Sequence, residues 1–151
     1  MKEITSGDNP SIKELVRLRD KRARDQSNTF IIEGFREISR AITGKVDLQE
    51  LFICPELFLG ENEEALIAKA KDNGTTVTSC IKRVFEKISY RDRPDGLIAA
   101  ATMMHLQLSS LIAPPQPLYI IAEGIEKPGN LGTILRTADA AGASGVIVVD
   151  R

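Results

Sequence analysis

Hydrophobic residues recur along the chain in short bursts, and the spacing inside the bursts switches between helical and extended. Residues 1–8 are polar and read as a loose lead-in. Ile12, Leu15, Val16 and Leu18 follow at helical spacing. Asn9-Pro10 supplies a cap and a first-turn proline, so a helix is expected from there to about Asp25. Phe30-Ile31-Ile32 is a short strand, and Gly34 precedes a helix from Phe35 to Ile42 that ends at Gly44. Leu51 to Cys54 is a second strand, and Pro55 to Gly60 a connection. Glu63 to Asp72 is a helix expected to bury Ala65, Leu66 and Ala70, with Asn73-Gly74 as its stop. The β-branched run Thr75 to Thr78 is a third strand. Ser79 can cap a helix from Ile81 to Ile88 that turns Val84, Phe85 and Ile88 inward. Tyr90 to Gly96 is a polar loop, and Leu97 to Thr102 is a fourth strand continuing toward Met104.

This alternation predicts a small α/β domain in α/β/α layers over residues 1–108. Residues 109–117 contain Pro114, Pro115 and Pro117, which forbid a helix and favour an extended spacer. A second domain then starts near Leu118 and occupies residues 118–151. It opens with the apolar run Leu118 to Ala122, which reads as a buried strand. The turn Glu126-Lys127-Pro128-Gly129-Asn130 follows, then a helix with Leu131, Ile134, Leu135 and Ala138 on one face. Gly142 ends that helix, and Val146 to Val149 form a second buried strand. Strand, helix and strand make a βαβ unit, with a parallel sheet as its product. An open α/β sheet wants more strands than these. The chain is therefore expected to be part of a longer protein.

Composition changes this picture little. The chain is 42% hydrophobic, enough for a core, and its net charge of -1 leaves nucleic-acid binding to a local patch if it occurs at all. Cys54 and Cys80 lack CxxC spacing and read as buried free thiols, and the single histidine, His105, has no companions for a metal site. No signal peptide and no membrane-length apolar run is visible, so a cytoplasmic protein is expected. One basic patch exists. Lys13, Arg17, Arg19, Lys21, Arg22 and Arg24 outnumber Glu14, Asp20 and Asp25. It can be a solvated helix face with internal ion pairs or a phosphate-contacting surface. In the second domain, Asn130-Leu131-Gly132 leads into a helix that carries Arg136. Such a turn can receive an anion, but GxGxxG, GKS and GKT are all absent, so a mononucleotide-binding enzyme is not supported. By spacing alone, Arg136 is equally a surface arginine paired with Asp139, and Asn130 an N-cap.

The run Lys127-Pro128-Gly129-Asn130-Leu131-Gly132-Thr133-Ile134-Leu135-Arg136-Thr137-Ala138 resembles the first motif of the SpoU/TrmH family of RNA ribose 2'-O-methyltransferases, members of the knotted SPOUT class. The match continues through Ala141-Gly142 into the apolar strand. Asn9-Pro10, Ile12-Lys13, the basic helix and Phe30-Ile31-Ile32-Glu33-Gly34 resemble the RNA substrate-binding domain that precedes the catalytic domain in many members. That domain is similar to ribosomal protein L30e. The arrangement is similar to the thiostrepton-resistance type of 23S rRNA methyltransferase.

The resemblance implies an L30e-like α/β/α domain followed by the first βαβ unit of a SPOUT domain. It implies S-adenosylmethionine-dependent 2'-O-methylation of a ribose in rRNA, with 23S rRNA as the expected target, by a homodimer formed through the SPOUT domain. Arg136 matches the arginine that meets the target phosphate and ribose. A protonated guanidinium has no free acceptor, so positioning and charge stabilisation are its expected roles. Asn130 is expected to orient it, and Glu123 stands where many members carry an acidic residue at the strand end. The family's cofactor-binding motifs would lie beyond Arg151, so this chain by itself is expected neither to bind the cofactor nor to methylate. RNA contacts are expected from Lys13, Arg17, Arg22 and Arg24, with Arg91 and Arg93 in the polar loop as a second set. Two other readings stay open: the same fold acting on tRNA, and a non-catalytic L30e/L7Ae-like RNA-binding module.

Overall fold

The structure, a computed structural model, describes residues 2–60, 62–111 and 114–149. The chain separates into two compact units, Met1–His105 and Leu106–Arg151. The proline-rich stretch falls in the second unit, and its Ile112 and Ala113 lie outside the described residues.

The first unit is built on five strands: β1 (Lys2–Ile4), β2 (Thr29–Glu33), β3 (Leu48–Ile53), β4 (Thr76–Cys80) and β5 (Leu97–Thr102). They lie in the order β1-β4-β3-β5-β2. β1, β4 and β3 are mutually parallel, and β5 runs antiparallel to both of its neighbours, β3 and β2. Five helices cover this sheet: α1 (Pro10–Arg17), α2 (Lys21–Ser27), α3 (Phe35–Thr43), α4 (Glu63–Asp72) and α5 (Lys82–Ile88). Side-chain alternation along the central strands creates two cores. Phe52, Ile98 and Ala100 face α1 and α5, joining Ile12, Leu15, Val84, Phe85 and Ile88. Leu51, Ile53, Leu97, Ala99 and Ala101 face α3 and α4, joining Ile38, Leu66, Ile67 and Ala70. Because both faces are covered, β5 reads as an unbroken apolar run rather than an alternating one. The α/β/α layering expected from sequence is present in this unit.

Several local expectations need correction. The polar lead-in contains β1, which pairs in parallel with β4 through Lys2↔Thr78, Glu3↔Ser79 and Ile4↔Cys80. A backbone ladder and the buried Ile4 order it, and a three-residue strand leaves almost no periodicity to read. The helix expected from Asn9 to Asp25 is two helices. Asn9 does cap α1, accepting from the Ser11 N–H at 2.9 Å. The Arg19 and Asp20 N–H groups then bond back only three residues, to Val16 and Arg17, and close α1. The Asp20 carboxylate accepts from the Arg22 and Ala23 N–H groups and starts α2. Ser79 does not cap α5; it is buried within β4, and α5 begins at Lys82 with no side-chain cap. On α4, Ala65 is exposed, and Ile67 is the additional inward residue. β5 ends at Thr102, short of Met104.

The second unit contains β6 (Tyr119–Glu123), α6 (Pro128–Ala140) and β7 (Gly145–Val149). The strands pair in parallel from Tyr119↔Gly145 to Glu123↔Val149, as a βαβ unit requires. Gly142, at φ +67°, ends the helix as the sequence indicates. The helix begins at Pro128, inside the expected turn, so Lys127 takes the cap position and Asn130 lies in the first turn. The strands were expected to be buried. Ala122 is, but Ile121 is 69% exposed and Val148 51%, because a single helix can cover only one face of a two-stranded ribbon.

Candidate functional site

Two groups of residues carry the candidate chemistry, one in each unit. In the second unit, Glu123 is the last residue of β6, and Gly124 at φ +66° turns the chain away from it. α6 then starts with Pro128, whose missing N–H is no loss at a position with no helical acceptor. Asn130 is exposed in the first turn, where its N–H bonds to the Lys127 carbonyl at 2.9 Å. Arg136 is exposed further along the helix. Its guanidinium does not pair with Asp139. It donates through Nη2 to Thr133 Oγ1 at 3.1 Å, and Thr133 in turn donates to the Gly129 carbonyl at 3.0 Å. The guanidinium lies so near Gly132 that an added Cβ there would come within 3.3 Å of Nη1. A glycine and a threonine thus hold the arginine back along the helix toward its N-terminal turns. Sequence reasoning missed Thr133. Its signal was a hydroxyl four residues after Gly129 and three before Arg136, positions that share a helix face.

In the first unit, the basic residues of the 13–24 stretch divide by what they contact. Lys13 is exposed and pairs with Asp8 at 3.1 Å, an exposed pair that lowers the Asp8 pKa. Arg17 is exposed and pairs with Glu14 at 3.3 Å. Arg22 is exposed and makes no ion pair among the described residues. Arg24 is half-buried, and its Nη1 donates to the carbonyls of Leu18 (2.9 Å) and Arg19 (2.8 Å), covering the end of α1. Arg19, not singled out in the sequence, does the same for α5. It donates to the carbonyls of Lys87 and Ser89, each at 3.0 Å, and its guanidinium lies 4.9 Å from the centre of the Tyr90 ring.

Arg91 is likewise engaged. It donates to the Glu33 carbonyl at 2.9 Å and pairs with Glu37 at 3.0 Å and Asp95 at 3.5 Å. Glu33 holds the other side of the same loop, accepting from Ser89 Oγ and from the Tyr90 N–H. Burial pushes the Glu37 carboxyl up. Its own backbone N–H and the Arg91 and Arg36 guanidinium groups pull harder, so its pKa lies below the ordinary value. Arg93 is exposed without an ion pair among the described residues. Lys13, Arg17, Arg22 and Arg93 are therefore exposed, while Arg19, Arg24 and Arg91 bond to backbone carbonyls. Burial raises the pKa of both cysteine thiols, that of Cys80 to about 12, as expected of inert core thiols.

Known proteins share both halves of this arrangement in the same order. Residues 9–99 match the MRM3-like substrate binding domain, and residues 117–151 match the SpoU rRNA methylase family. The chain belongs to the SpoU/TrmH family. A crystal structure of an RNA 2'-O ribose methyltransferase superposes with a TM-score of 0.81 at 41% identity, covering 97% of this chain and 55% of that one. An AdoMet-bound rRNA methyltransferase from Sinorhizobium meliloti gives 0.84 at 31% identity, over 99% of this chain and 56% of that one. The Bacillus subtilis 23S rRNA (guanosine(2553)-2'-O)-methyltransferase RlmP is 28% identical over 150 residues, which is 99% of this chain and 55% of that protein. The chain thus spans about half the length of these SpoU relatives. No helix among the described residues is long and apolar enough to cross a membrane.

Proposed function

We propose that the protein to which this chain belongs transfers a methyl group from S-adenosylmethionine to a ribose 2'-oxygen of rRNA, with 23S rRNA as the target. The observation that carries this reading is the 41% identity, across nearly the whole chain, to an RNA 2'-O ribose methyltransferase of the same fold. The first unit is the substrate-holding part, an α/β/α domain of the L30e kind. The second is the start of a knotted SPOUT domain. Exposed apolar residues of the second unit, Ile121, Leu135 and Val148, support a larger domain that covers them and dimerises. The protein acts in the cytoplasm.

In this reading Arg136 meets the acceptor nucleotide. Its fixed positive charge holds the phosphate and stabilises the alkoxide that develops on the ribose oxygen. It does not take the proton, because a protonated guanidinium has no acceptor. Thr133 and Gly132 set its direction, Asn130 lines the same helix end, and Glu123 closes the strand side. All of Glu123, Asn130 and Arg136 are exposed on one strand–helix–strand unit. Such a set suits an RNA phosphate and ribose. RNA is held electrostatically by Lys13, Arg17 and Arg22, with Arg93 from the neighbouring loop. Arg24 and Arg91, also expected from sequence to meet RNA, keep the neighbouring elements in place through their bonds to backbone carbonyls.

The test uses protein from the whole reading frame, incubated with 23S rRNA, 16S rRNA and tRNA and with labelled S-adenosylmethionine. Transfer to a single 2'-oxygen of 23S rRNA is expected. Transfer to tRNA alone would move the substrate. RNA binding with no transfer to any RNA would replace the enzyme with a binding module.

A further inference from the structure

β2 is an edge strand of the five-stranded sheet. The Gly34 N–H bonds to the Leu97 carbonyl and the Met103 N–H to the Asn28 carbonyl, and the ladder between these two bonds runs without a register shift. Alternation along an antiparallel pair then gives Phe30 and Ile32 the bonds to β5 and turns the N–H and carbonyl of Ile31 outward. The Ile31 pair makes no hydrogen bond among the described residues. The Glu33 carbonyl points the same way, and Arg91 Nη2 donates to it at 2.9 Å. Phe30 packs toward the α3–α4 core and Ile31 toward the α1–α5 core, yet both line one groove of about 440 Å³. The groove therefore crosses the outer edge of the strand. Leu18, Arg24, Tyr90 and Arg91 form its other walls.

Tyr90 is 55% exposed, and the Arg19 guanidinium lies over its ring. Arg19 is not a wall of the groove, so the ring reaches the groove with surface that Arg19 does not cover. The ring is also held in advance. Arg19 is fixed by the Lys87 and Ser89 carbonyls, and the Tyr90 N–H donates to Glu33 Oε2 at 2.8 Å. Little side-chain freedom is left to lose when a ligand stacks there. Of the two guanidinium groups in the walls, that of Arg91 is shared with Glu37 and Asp95, whereas Arg24 makes no ion pair among the described residues. We propose that this groove takes one unstacked RNA base. The base stacks on Tyr90, its hydrogen-bonding edge meets the outward N–H and carbonyl of Ile31, and its phosphate lies against Arg24. An aromatic face beside a free donor and acceptor is what recognition of single-stranded RNA uses. The volume is that of a small-molecule site, about 300–1,000 Å³. A peptide strand adding to the same edge fits less well, because Arg91 already occupies the Glu33 carbonyl and interrupts the row of free groups. The subsite rests on the RNA-holding role proposed above for the first unit. It adds a contact to a base, where Lys13, Arg17, Arg22 and Arg93 supply charge for phosphates.

The test measures the affinity of the whole protein for two probes: a short single-stranded RNA of mixed sequence, and the same ribose–phosphate chain with its bases removed. Tyr90→Ala and Tyr90→Phe serve as variants, with thermal unfolding to show that both are folded. Wild type should bind the complete RNA more tightly than the abasic chain. Tyr90→Ala should lose roughly 5- to 150-fold on the complete RNA, the alanine cost of one stacked base. On the abasic chain it should bind as wild type does, and its salt slope should be unchanged, because no phosphate contact has been removed. Tyr90→Phe keeps the ring and should keep the wild-type preference for bases. Two results overturn the subsite alone. One is an unchanged preference for bases in Tyr90→Ala. The other is an equal loss by Tyr90→Ala on both probes, which would make Tyr90 a support for its loop. Failure of wild type to bind either probe would overturn the subsite together with the RNA-holding role on which it rests.

Discussion

Gly96→Ala tests the packing of the first unit most sharply, because Gly74→Ala provides a matched control. Both glycines lie in the left-handed region, Gly96 at φ +80° and Gly74 at φ +87°. Any L side chain there costs about 1–2 kcal/mol, and stiffening of the unfolded chain offsets about 0.4–1 kcal/mol of it. Their surroundings differ. A Cβ on Gly74 meets nothing within 4 Å, whereas one on Gly96 would lie 2.5 Å from the Cys54 carbonyl oxygen and 2.9 Å from Phe58 Cδ1. The Cys54 oxygen is backbone and cannot swing aside, and Cys54 N–H bonds to the Gly96 carbonyl at 2.9 Å, so strand and loop are locked together there. Forced separation adds an overpacking cost of about 1–3 kcal/mol. Gly74→Ala should therefore cost about 1 kcal/mol or less, and Gly96→Ala about 2–4 kcal/mol. At roughly 4–8 °C per kcal/mol for a domain of this size, the Tm values should separate clearly. Urea unfolding followed by circular dichroism gives both free energies, with unchanged m values. Equal destabilisation of the two variants within about 0.5 kcal/mol, the ordinary range for uninvolved surface sites, would refute the close approach at Gly96.

Three other predictions rest on the same unit. The Glu37 pKa is lowered on folding, so its contribution is complete above the unfolded value of 4.5 and fades as pH falls through the folded value. Replacing Arg91 with Met should lower stability near neutrality, where that contribution is complete, and flatten the stability–pH curve through the acid range, so that the gap to wild type narrows as pH falls. The Cys80 thiol, raised from 9.0 to about 12, should destabilise the fold progressively as pH climbs between those values. A thiol reagent should label it at neutral pH only after unfolding. Arg22 and Arg24 should separate in RNA binding. Arg22→Glu should weaken binding and reduce the salt slope by roughly 0.7–0.9 for each phosphate that is no longer neutralised, with stability unchanged. Arg24→Gln should cost about 1–2 kcal/mol in urea unfolding, because it leaves the Leu18 and Arg19 carbonyls without their donor.

The sequence was most legible where apolar periodicity and backbone punctuation agreed. α4 has the limits read from it, and Gly142 ends α6 at positive φ. It was least legible where order comes from the backbone alone. β1 buries Ile4 and forms a ladder to β4 that no residue pattern announces. The division of the first helix was written in Asp20, a capping residue, but the steady run of basic residues around it masked the break. For the candidate site, residue identities were readable and partners were not. Nothing in the spacing separates Arg22, which faces solvent, from Arg24, which covers the end of α1. Spacing offered Asp139 as a partner for Arg136, and the back-bonded Thr133 hydroxyl takes it instead.

The most direct test of the central claim is methyl transfer to 23S rRNA by the whole protein with Arg136→Ala, measured beside RNA affinity and thermal stability. If Arg136 stabilises charge at the acceptor ribose, transfer should fall by about 10²–10³, the usual cost of losing such a donor. RNA affinity, which rests mainly on the first unit, and Tm, which an exposed arginine barely affects, should both stay close to wild type. Unchanged transfer by the alanine variant would contradict the assignment of this helix to the reaction.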